Sequence, residues 1–237
     1  MKLLTTITIC VLVCCTGCEQ AAPVNFSSAT QPGIAIVLLV DTSSSMADYV
    51  SAQGTKQQKS VIAQKALQQV IDYTSGWKQA HPDEQLQIAI YNFNSSVHEV
   101  LPMGEFGSPG RALFNEARVK AAVEQIPNPD GWTAIGLALT EGFRSLYASG
   151  CTRKHLVCIT DGANTAGPTP ENVARQLFSQ TKGEVYIHFI AFDTSASKFS
   201  FLAETNGAVW AADNGDQLCE QLSLIFEKRI LAEKEEP

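Results

Sequence analysis

The hydrophobic positions of the chain fall into two patterns: short continuous apolar runs, and longer stretches with an apolar residue every three or four positions. Continuous runs predict strands covered on both faces, and they occupy residues 34–40, 154–160 and 184–192. Further strands are predicted at residues 86–93, 96–103 and 208–212, the first two joined by a hairpin at Asn94-Ser95. Helical spacing predicts helices at residues 59–77, 112–126, 133–147, 170–181 and 215–231, with a short helix near 198–205.

The order of these elements predicts the fold class. Strands that alternate with helices form α/β domains with a largely parallel sheet and helices on both faces, and the hairpin predicts one antiparallel edge strand. The sequence contains no internal repeat and no sign of a second domain. Its 237 residues, 45% hydrophobic and 17% charged, are enough for one domain with a large core.

The charge of the chain argues against a nucleic-acid partner. The formal net charge is −7, and no basic cluster is longer than the pair Lys228-Arg229. Binding to a phosphate backbone depends on clustered Lys and Arg side chains. We therefore expect no nucleic-acid partner.

The first residues have the pattern of an export signal. Lys2 precedes an apolar run from Ile7 to Cys15, and the small pair Thr16-Gly17 stands before Cys18. Residues 1–17 are therefore predicted to be a signal peptide, too short for a spanning helix. Small residues directly before a cysteine resemble the processing box of bacterial lipoproteins, in which that cysteine is lipidated and becomes the new N-terminus. Cleavage by ordinary signal peptidase, which would release a secreted protein, is the alternative.

The resemblance to lipoproteins implies how the rest of the chain is organised. We expect a lipid on Cys18, a flexible tether over residues 18–32, a folded domain over residues 33–231 and a solvated acidic tail over residues 232–237. The predicted location is the cell envelope. In a host with two membranes the outer one is expected, because Glu19 rather than an aspartate follows the lipidated cysteine.

Three cysteines remain beyond Cys18. Cys158 lies inside the apolar strand 154–160 and is predicted to be a small core residue. An odd number of cysteines leaves at least one free thiol. A disulfide between Cys151 and Cys219 stays open, because spacing alone does not establish a pairing.

Oxygen-bearing side chains follow two of the predicted buried strands. Asp41 ends the first strand, and Ser43 and Ser45 come at alternate positions after it, so that their side chains can point the same way. Asp161 follows the strand 154–160. Ligands of open α/β sheets bind beyond the carboxyl ends of the strands, so the two carboxylates share one crevice if these strands are neighbours. Oxygen ligands without His or Cys favour Mg²⁺, or Mn²⁺ or Ca²⁺, over zinc.

Three motifs in this order closely resemble the von Willebrand factor type A domain and its metal-ion-dependent adhesion site. They are D-x-S-x-S followed by Met46, GWTAIG at residues 131–136 and ITDGANT at residues 159–165. The family takes its metal ligands from the Asp and two Ser of the first motif, a Thr of the second and an Asp of the third. The matching positions are Asp41, Ser43, Ser45, Thr133 and Asp161. The resemblance covers about residues 33–231 and implies a six-stranded sheet in the order 3-2-1-4-5-6.

The resemblance also implies a function, that of a non-catalytic module for protein–protein interaction. In this family a Glu or Asp of the partner completes the coordination of the metal. Mg²⁺ suits this role because it keeps several waters that a ligand can replace. We therefore expect a protein ligand that presents an acidic residue to the metal.

Each motif alone has a simpler explanation. The first could be a turn with a helix cap, Thr133 an N-cap for the helix that follows, and Asp161-Gly162 a β-turn. A second D-x-S-x-S, from Asp193 to Ser197, has no companion loop and is interpreted as a turn and helix cap. The segments 47–55 and 104–110 are interpreted as loops near the site that set partner specificity.

Two other functions stay open. A metal-independent scaffold of an envelope complex would keep the fold without using the ligand set. A Mg²⁺-dependent phosphatase is disfavoured, because haloacid-dehalogenase-like phosphatases have a second acid where this chain has Ser43. The sequence also has neither a G-x-S-x-G nucleophile elbow nor a Walker phosphate loop.

Overall fold

The computed structural model describes residue 26 and residues 31–104 and 114–233. The predicted signal peptide, Cys18, most of the tether, most of the segment 104–110 and most of the acidic tail lie outside these residues. Within the described residues, no helix is both long and apolar enough to cross a membrane.

The described part of the chain contains eight strands and five α-helices. The strands are β1 (Gln31–Asp41), β2 (Tyr49–Ala52), β3 (Thr55–Gln58), β4 (Leu86–Phe93), β5 (Val97–Leu101), β6 (Cys151–Thr160), β7 (Val185–Phe192) and β8 (Gly207–Ala212). The α-helices are α1 (Lys59–Ala80), α2 (Glu116–Glu124), α3 (Ile135–Ala148), α4 (Pro170–Thr181) and α5 (Gly215–Ile225). The helix predicted near 198–205 is a 3-10 helix (Ala196–Glu204), and α5 continues into a π turn (Phe226–Ile230).

Six strands form one sheet in the spatial order β5-β4-β1-β6-β7-β8. Every neighbouring pair is parallel except β4 with β5, which are joined by the predicted hairpin. Counted along the sheet strands alone, this is the order 3-2-1-4-5-6 with one antiparallel edge strand. The predicted fold class and strand order are therefore confirmed.

The core lies on both faces of the sheet. The residues of β1 are buried from Gly33 to Asp41, and their side chains alternate between the two faces, as the pleat of a strand requires. Ile36 and Leu38 pack with residues of α1, α2 and α5, whereas Val37 and Leu39 pack with residues of α3 and α4. This double coverage is why the strand needs a continuous apolar run.

The segment 47–55, which the sequence analysis interprets as a loop, instead contains strand β2 and the start of strand β3. Tyr49 pairs with Gln58 and Ala52 with Thr55 in a two-stranded antiparallel sheet. Gln53 and Gly54 form its turn, with φ of 50° and 74°, the left-handed conformation that two-residue hairpins use. Val50 and Ala52 are buried, so this hairpin packs on the core and leads directly into α1.

The three described cysteines are free thiols. Cys158 is fully buried, as predicted. Cys151 packs in the core on the α3 side of the sheet and Cys219 against the core on the α1 side. Because the sheet separates these two residues, the disulfide left open by the sequence does not form.

Candidate metal site

The first loop places a buried carboxylate at the carboxyl end of β1. Asp41 is fully buried, and its two oxygens have different partners. The backbone N–H of Ser43 donates to Oδ1 at 2.7 Å, and the Thr160 hydroxyl donates to Oδ2 at 2.6 Å. The hydrogen bond from Thr160 crosses from β1 to its neighbour β6, so Asp41 is held in one orientation.

The two serines of the motif lie between this carboxylate and the carboxylate of Asp161. Ser45 donates its hydroxyl hydrogen to Asp161 Oδ1 at 2.6 Å. The Oγ atoms of Ser43 and Ser45 are 3.3 Å apart, which agrees with the prediction that alternate positions point the same way. Ser43 and Asp161 are buried, whereas Ser45 lies at the exposed mouth of the site.

The second loop is fastened to the first by backbone hydrogen bonds. Ser44 N–H donates to the Gly131 carbonyl at 3.1 Å, and Asp130 N–H donates to the Thr42 carbonyl at 2.8 Å. Gly131 has φ of 77°, and a Cβ there would lie 2.7 Å from Ser95 Oγ. A glycine is therefore required at this close approach.

These contacts bring Thr133 to the same place. A Cβ built on Gly162 would lie 3.6 Å from Thr133 Oγ1 and 3.9 Å from Ser45 Oγ, so Gly162 leaves open a space that both hydroxyls border. Thr133 is not the N-cap of α3, because that position belongs to Ala134 and no side chain caps the helix. The Thr133 hydroxyl therefore makes no capping hydrogen bond to α3.

The spacing of these oxygens fits a small divalent cation. Successive oxygens from Asp161 Oδ1 through Ser45 to Ser43 are separated by 2.6 and 3.3 Å. Adjacent ligands of an octahedral Mg²⁺ ion lie about 3 Å apart, because each is about 2.1 Å from the metal. The donor set of two carboxylates and three hydroxyls suits a hard cation and not zinc. Among the described residues, no three His, Cys, Asp or Glu side chains group in a way that could hold a metal, so this set depends on its hydroxyls.

Residues 35–221 match the model of the von Willebrand factor type A domain, which is more than half of the chain. The chain belongs to this family. A search of curated proteins finds no match to this chain.

Several solved structures share the fold of this von Willebrand factor type A domain at low sequence identity. The PilB minor pilin from Streptococcus sanguinis has a TM-score of 0.64 at 16% identity, over 85% of this chain and 62% of the pilin. BatB, a conserved hypothetical protein from Bacteroides thetaiotaomicron, has a TM-score of 0.61 at 15% identity, over 83% of this chain and 98% of BatB. The open conformation of the pilus adhesin SpaC from Lactobacillus rhamnosus GG has a TM-score of 0.62 at 14% identity, over 86% of this chain and 31% of SpaC. This chain thus corresponds to a part of the pilin and of the adhesin.

The surroundings of Asp41 disfavour the ionised form of its carboxyl group. Burial raises the pKa of Asp41 from 3.8 to about 6, against the lowering effect of hydrogen bonds from Ser43 and Thr160, and repulsion from Asp161 adds to the rise. A carboxylate that is deprived of water in this way is stabilised by a nearby cation. Metal binding itself stays a prediction.

One cation of the site was missed by the sequence analysis. Lys59, the first residue of α1, is 5% exposed. Its Nζ lies 2.9 Å from Asp161 Oδ2 and 2.9 Å from Asp193 Oδ2. Burial lowers the pKa of Lys59, but hydrogen bonds to Asp193 and Asp161 outweigh this and leave the pKa above its ordinary value. Lys59 is therefore a protonated ammonium at neutral pH.

The second D-x-S-x-S motif combines the predicted role with an unexpected one. Ser195 caps the 3-10 helix by accepting a hydrogen bond from Ser197 N–H, as the sequence analysis predicts. Asp193 instead turns back to Lys59 from a left-handed backbone conformation, φ 51°. No local signal in the sequence reveals this contact, because it depends on the adjacency of β6 and β7.

An exposed tryptophan flanks the site. Trp132 is 66% exposed, and it lines a cavity of about 460 Å³ together with Ser43, Ser45 and Thr133. A larger cavity of about 540 Å³ lies beside His155, His188 and Trp210 and contains none of the five predicted ligands. Three of the five predicted ligands therefore line the smaller cavity.

Proposed function

We propose that this chain is a membrane-tethered, non-catalytic protein-interaction module of the cell envelope, which binds an acidic residue of a partner protein through a divalent metal, Mg²⁺ above all. The proposed ligands are Asp41, Ser43, Ser45, Thr133 and Asp161, and the proposed anchor is a lipid on Cys18. The neighbouring structures include a minor pilin and a pilus adhesin. Their surface roles are consistent with an envelope location for this chain.

The observation that carries the proposal is the row of close oxygens from distant segments. Ser45 and Asp161 are 116 residues apart in sequence, yet their oxygens are 2.6 Å apart. A turn or a helix cap explains hydrogen bonds within one loop, but it does not explain why the Ser45 hydroxyl of one loop donates to the Asp161 carboxylate of another. Oxygens gathered from separate loops are the arrangement that a hard cation needs.

The residues of the site divide the work of binding. Asp41, Asp161 and the three hydroxyls would hold the ion, and a bound Mg²⁺ would supply a Lewis-acidic position for a partner carboxylate. The hydroxyls are neutral, so two carboxylates only balance the charge of the ion. Trp132, exposed beside the cavity, offers an apolar surface to the residues that flank the partner's acid.

Metal binding is tested by the stability of the fold. At a hundredfold excess of Mg²⁺ over Kd, we expect a gain of about 2.7 kcal/mol in the free energy of unfolding. Ser43→Ala should abolish the gain. Ser44→Ala is the matched control, because Ser44 lies between the two ligands but is exposed and makes no side-chain hydrogen bond among the described residues. A melting curve that does not respond to Mg²⁺ in the wild type would contradict the proposal.

Partner binding is tested by affinity capture from membranes with Mg²⁺ and again with EDTA. A partner that is retained with Mg²⁺, lost with EDTA and lost in Asp41→Ala supports the proposal. A generic phosphatase assay in the same buffers should give no turnover that depends on Asp41.

A metal-independent scaffold is the second candidate function, and Lys59 favours it. Its ammonium already neutralises Asp161 without a metal. A partner captured equally well with EDTA and by Ser43→Ala would support this candidate.

A further inference from the structure

The two oxygens of Asp161 have different hydrogen-bond partners. Oδ2 accepts from Lys59 Nζ at 2.9 Å, while Oδ1 accepts from Ser45 at 2.6 Å on the side of the proposed metal. A metal and the ammonium would therefore share one carboxylate. Asp193 is the second partner of Lys59 and makes no described hydrogen bond to any of the five proposed ligands.

The position of Lys59 is unfavourable for the helix itself. Lys59 is the first residue of α1, with no acidic residue in the first turn, and a positive charge at a helix N-terminus opposes the helix dipole. The ammonium is also buried, which removes its hydration. The helix gives no reason for a lysine here, whereas the two carboxylates do.

We propose that Lys59 is a built-in counter-cation that competes with the divalent metal for Asp161 and sets the metal affinity of the site low. This inference rests on the proposed function. Two carboxylates, Asp161 and Asp193, contact the one ammonium, so this ionised triad carries one net negative charge. Asp193 draws the ammonium away from Asp161 and so moderates the competition.

The proposal predicts opposite effects for two neutralising substitutions. Lys59→Met keeps an unbranched side chain, one atom shorter, but removes the competing charge, and we expect Mg²⁺ to bind at least tenfold more tightly. Asp193→Asn leaves the ammonium to Asp161 alone, and we expect Mg²⁺ to bind at least threefold more weakly. Asparagine is suited to the left-handed backbone at this position.

The experiment is a calorimetric titration of the metal-free chain with Mg²⁺ alone. Lys65→Met is the control for the lysine, because Lys65 lies on the same helix but donates to Gln57 at an exposed site. Asp213→Asn is the control for the aspartate, because Asp213 follows β8 as Asp193 follows β7 and is exposed. Both controls should bind as the wild type does.

The outcomes separate this inference from the proposed function. Wild-type binding that Lys59→Met leaves unchanged or weakens overturns the inference alone. A metal-binding defect shared by Lys59→Met and Asp193→Asn would indicate a merely structural role and would also overturn it. If Lys59→Met binds Mg²⁺ and the wild type does not, the result supports the competition. If neither protein binds Mg²⁺, the proposed function and the inference are overturned together. If Lys59→Met does not fold, Asp193→Asn decides, and unchanged affinity there refutes the competition.

Discussion

Asp41→Asn is expected to stabilise the metal-free domain while it removes a metal ligand. The substitution replaces a buried carboxylate by a neutral amide of nearly the same shape. The amide oxygen still accepts from Ser43 N–H, and the amide nitrogen can donate to Thr160, whose hydroxyl can turn its hydrogen toward the Gly162 carbonyl. The main change is therefore the loss of a buried charge.

The magnitude follows from the pKa of Asp41. Burial raises the pKa of this carboxyl from 3.8 to about 6. Between these values the folded state holds a proton that the unfolded state has lost, so stability falls as pH rises through this window and is constant above it. A difference of about two pKa units corresponds to about 3 kcal/mol at pH 7.5 and to less than about 1 kcal/mol at pH 4. Asp41→Asn should recover this amount.

The assay is urea unfolding of wild type and Asp41→Asn in EDTA at pH 7.5 and at pH 4. We expect Asp41→Asn to be more stable at pH 7.5 by up to about 3 kcal/mol and the difference to shrink at pH 4. Asp48→Asn, which neutralises an exposed acid near the same loop, should change stability by no more than about 0.5 kcal/mol. An Asp41→Asn variant that is less stable than wild type at pH 7.5 in EDTA would refute the reasoning.

Two further predictions concern the body of the fold. Burial, together with the neighbouring charges of His155 and Arg229, lowers the pKa of His188 to about 3, so stability is lost as pH falls below about 6.5, by about 2 kcal/mol at pH 5. His188→Phe should remove this loss, which urea midpoints at pH 7.5 and pH 5 measure, and equal losses in both proteins would contradict it. Gly136→Ala should destabilise by about 1–3 kcal/mol because its Cβ would collide with the Pro168 carbonyl. Gly76→Ala, at an open position in α1, should instead stabilise by about 0.5–1 kcal/mol, and thermal melts that rank the two variants the other way would refute this.

Elements with strong local patterns were predictable. Strand 86–93 and helix 170–181 were predicted with the bounds that the structure gives to β4 and α4. Both have local signals, an apolar run beside a hairpin turn in one case and a proline at the first helical position in the other. The hairpin of β2 and β3 was missed, because its strands are four residues long and only half of β2 is buried.

The candidate site was predictable as a set of residues but not as an electrostatic environment. Asp41 and Asp161 could be placed from sequence, because each directly follows an apolar run that ends at the same edge of a parallel sheet. Lys59 could not, because it begins a helix and does not follow an apolar run that ends at this edge. The only local cue is a lysine at the dipole-unfavourable end of a helix.

The sequence by itself determined the strand and helix order, the parallel sheet and the oxygen-rich loops at its carboxyl edge, because hydrophobic periodicity and turn chemistry act between near neighbours in the chain. Only the tertiary structure decided that Lys59 bridges Asp161 and Asp193, and that His155 stacks on His188 with ring centroids 5.8 Å apart. These contacts depend on the register of β6 against β7 and on where α1 begins. Charge interactions depend on the distance between the groups in space, and that distance is set only when the strands pair.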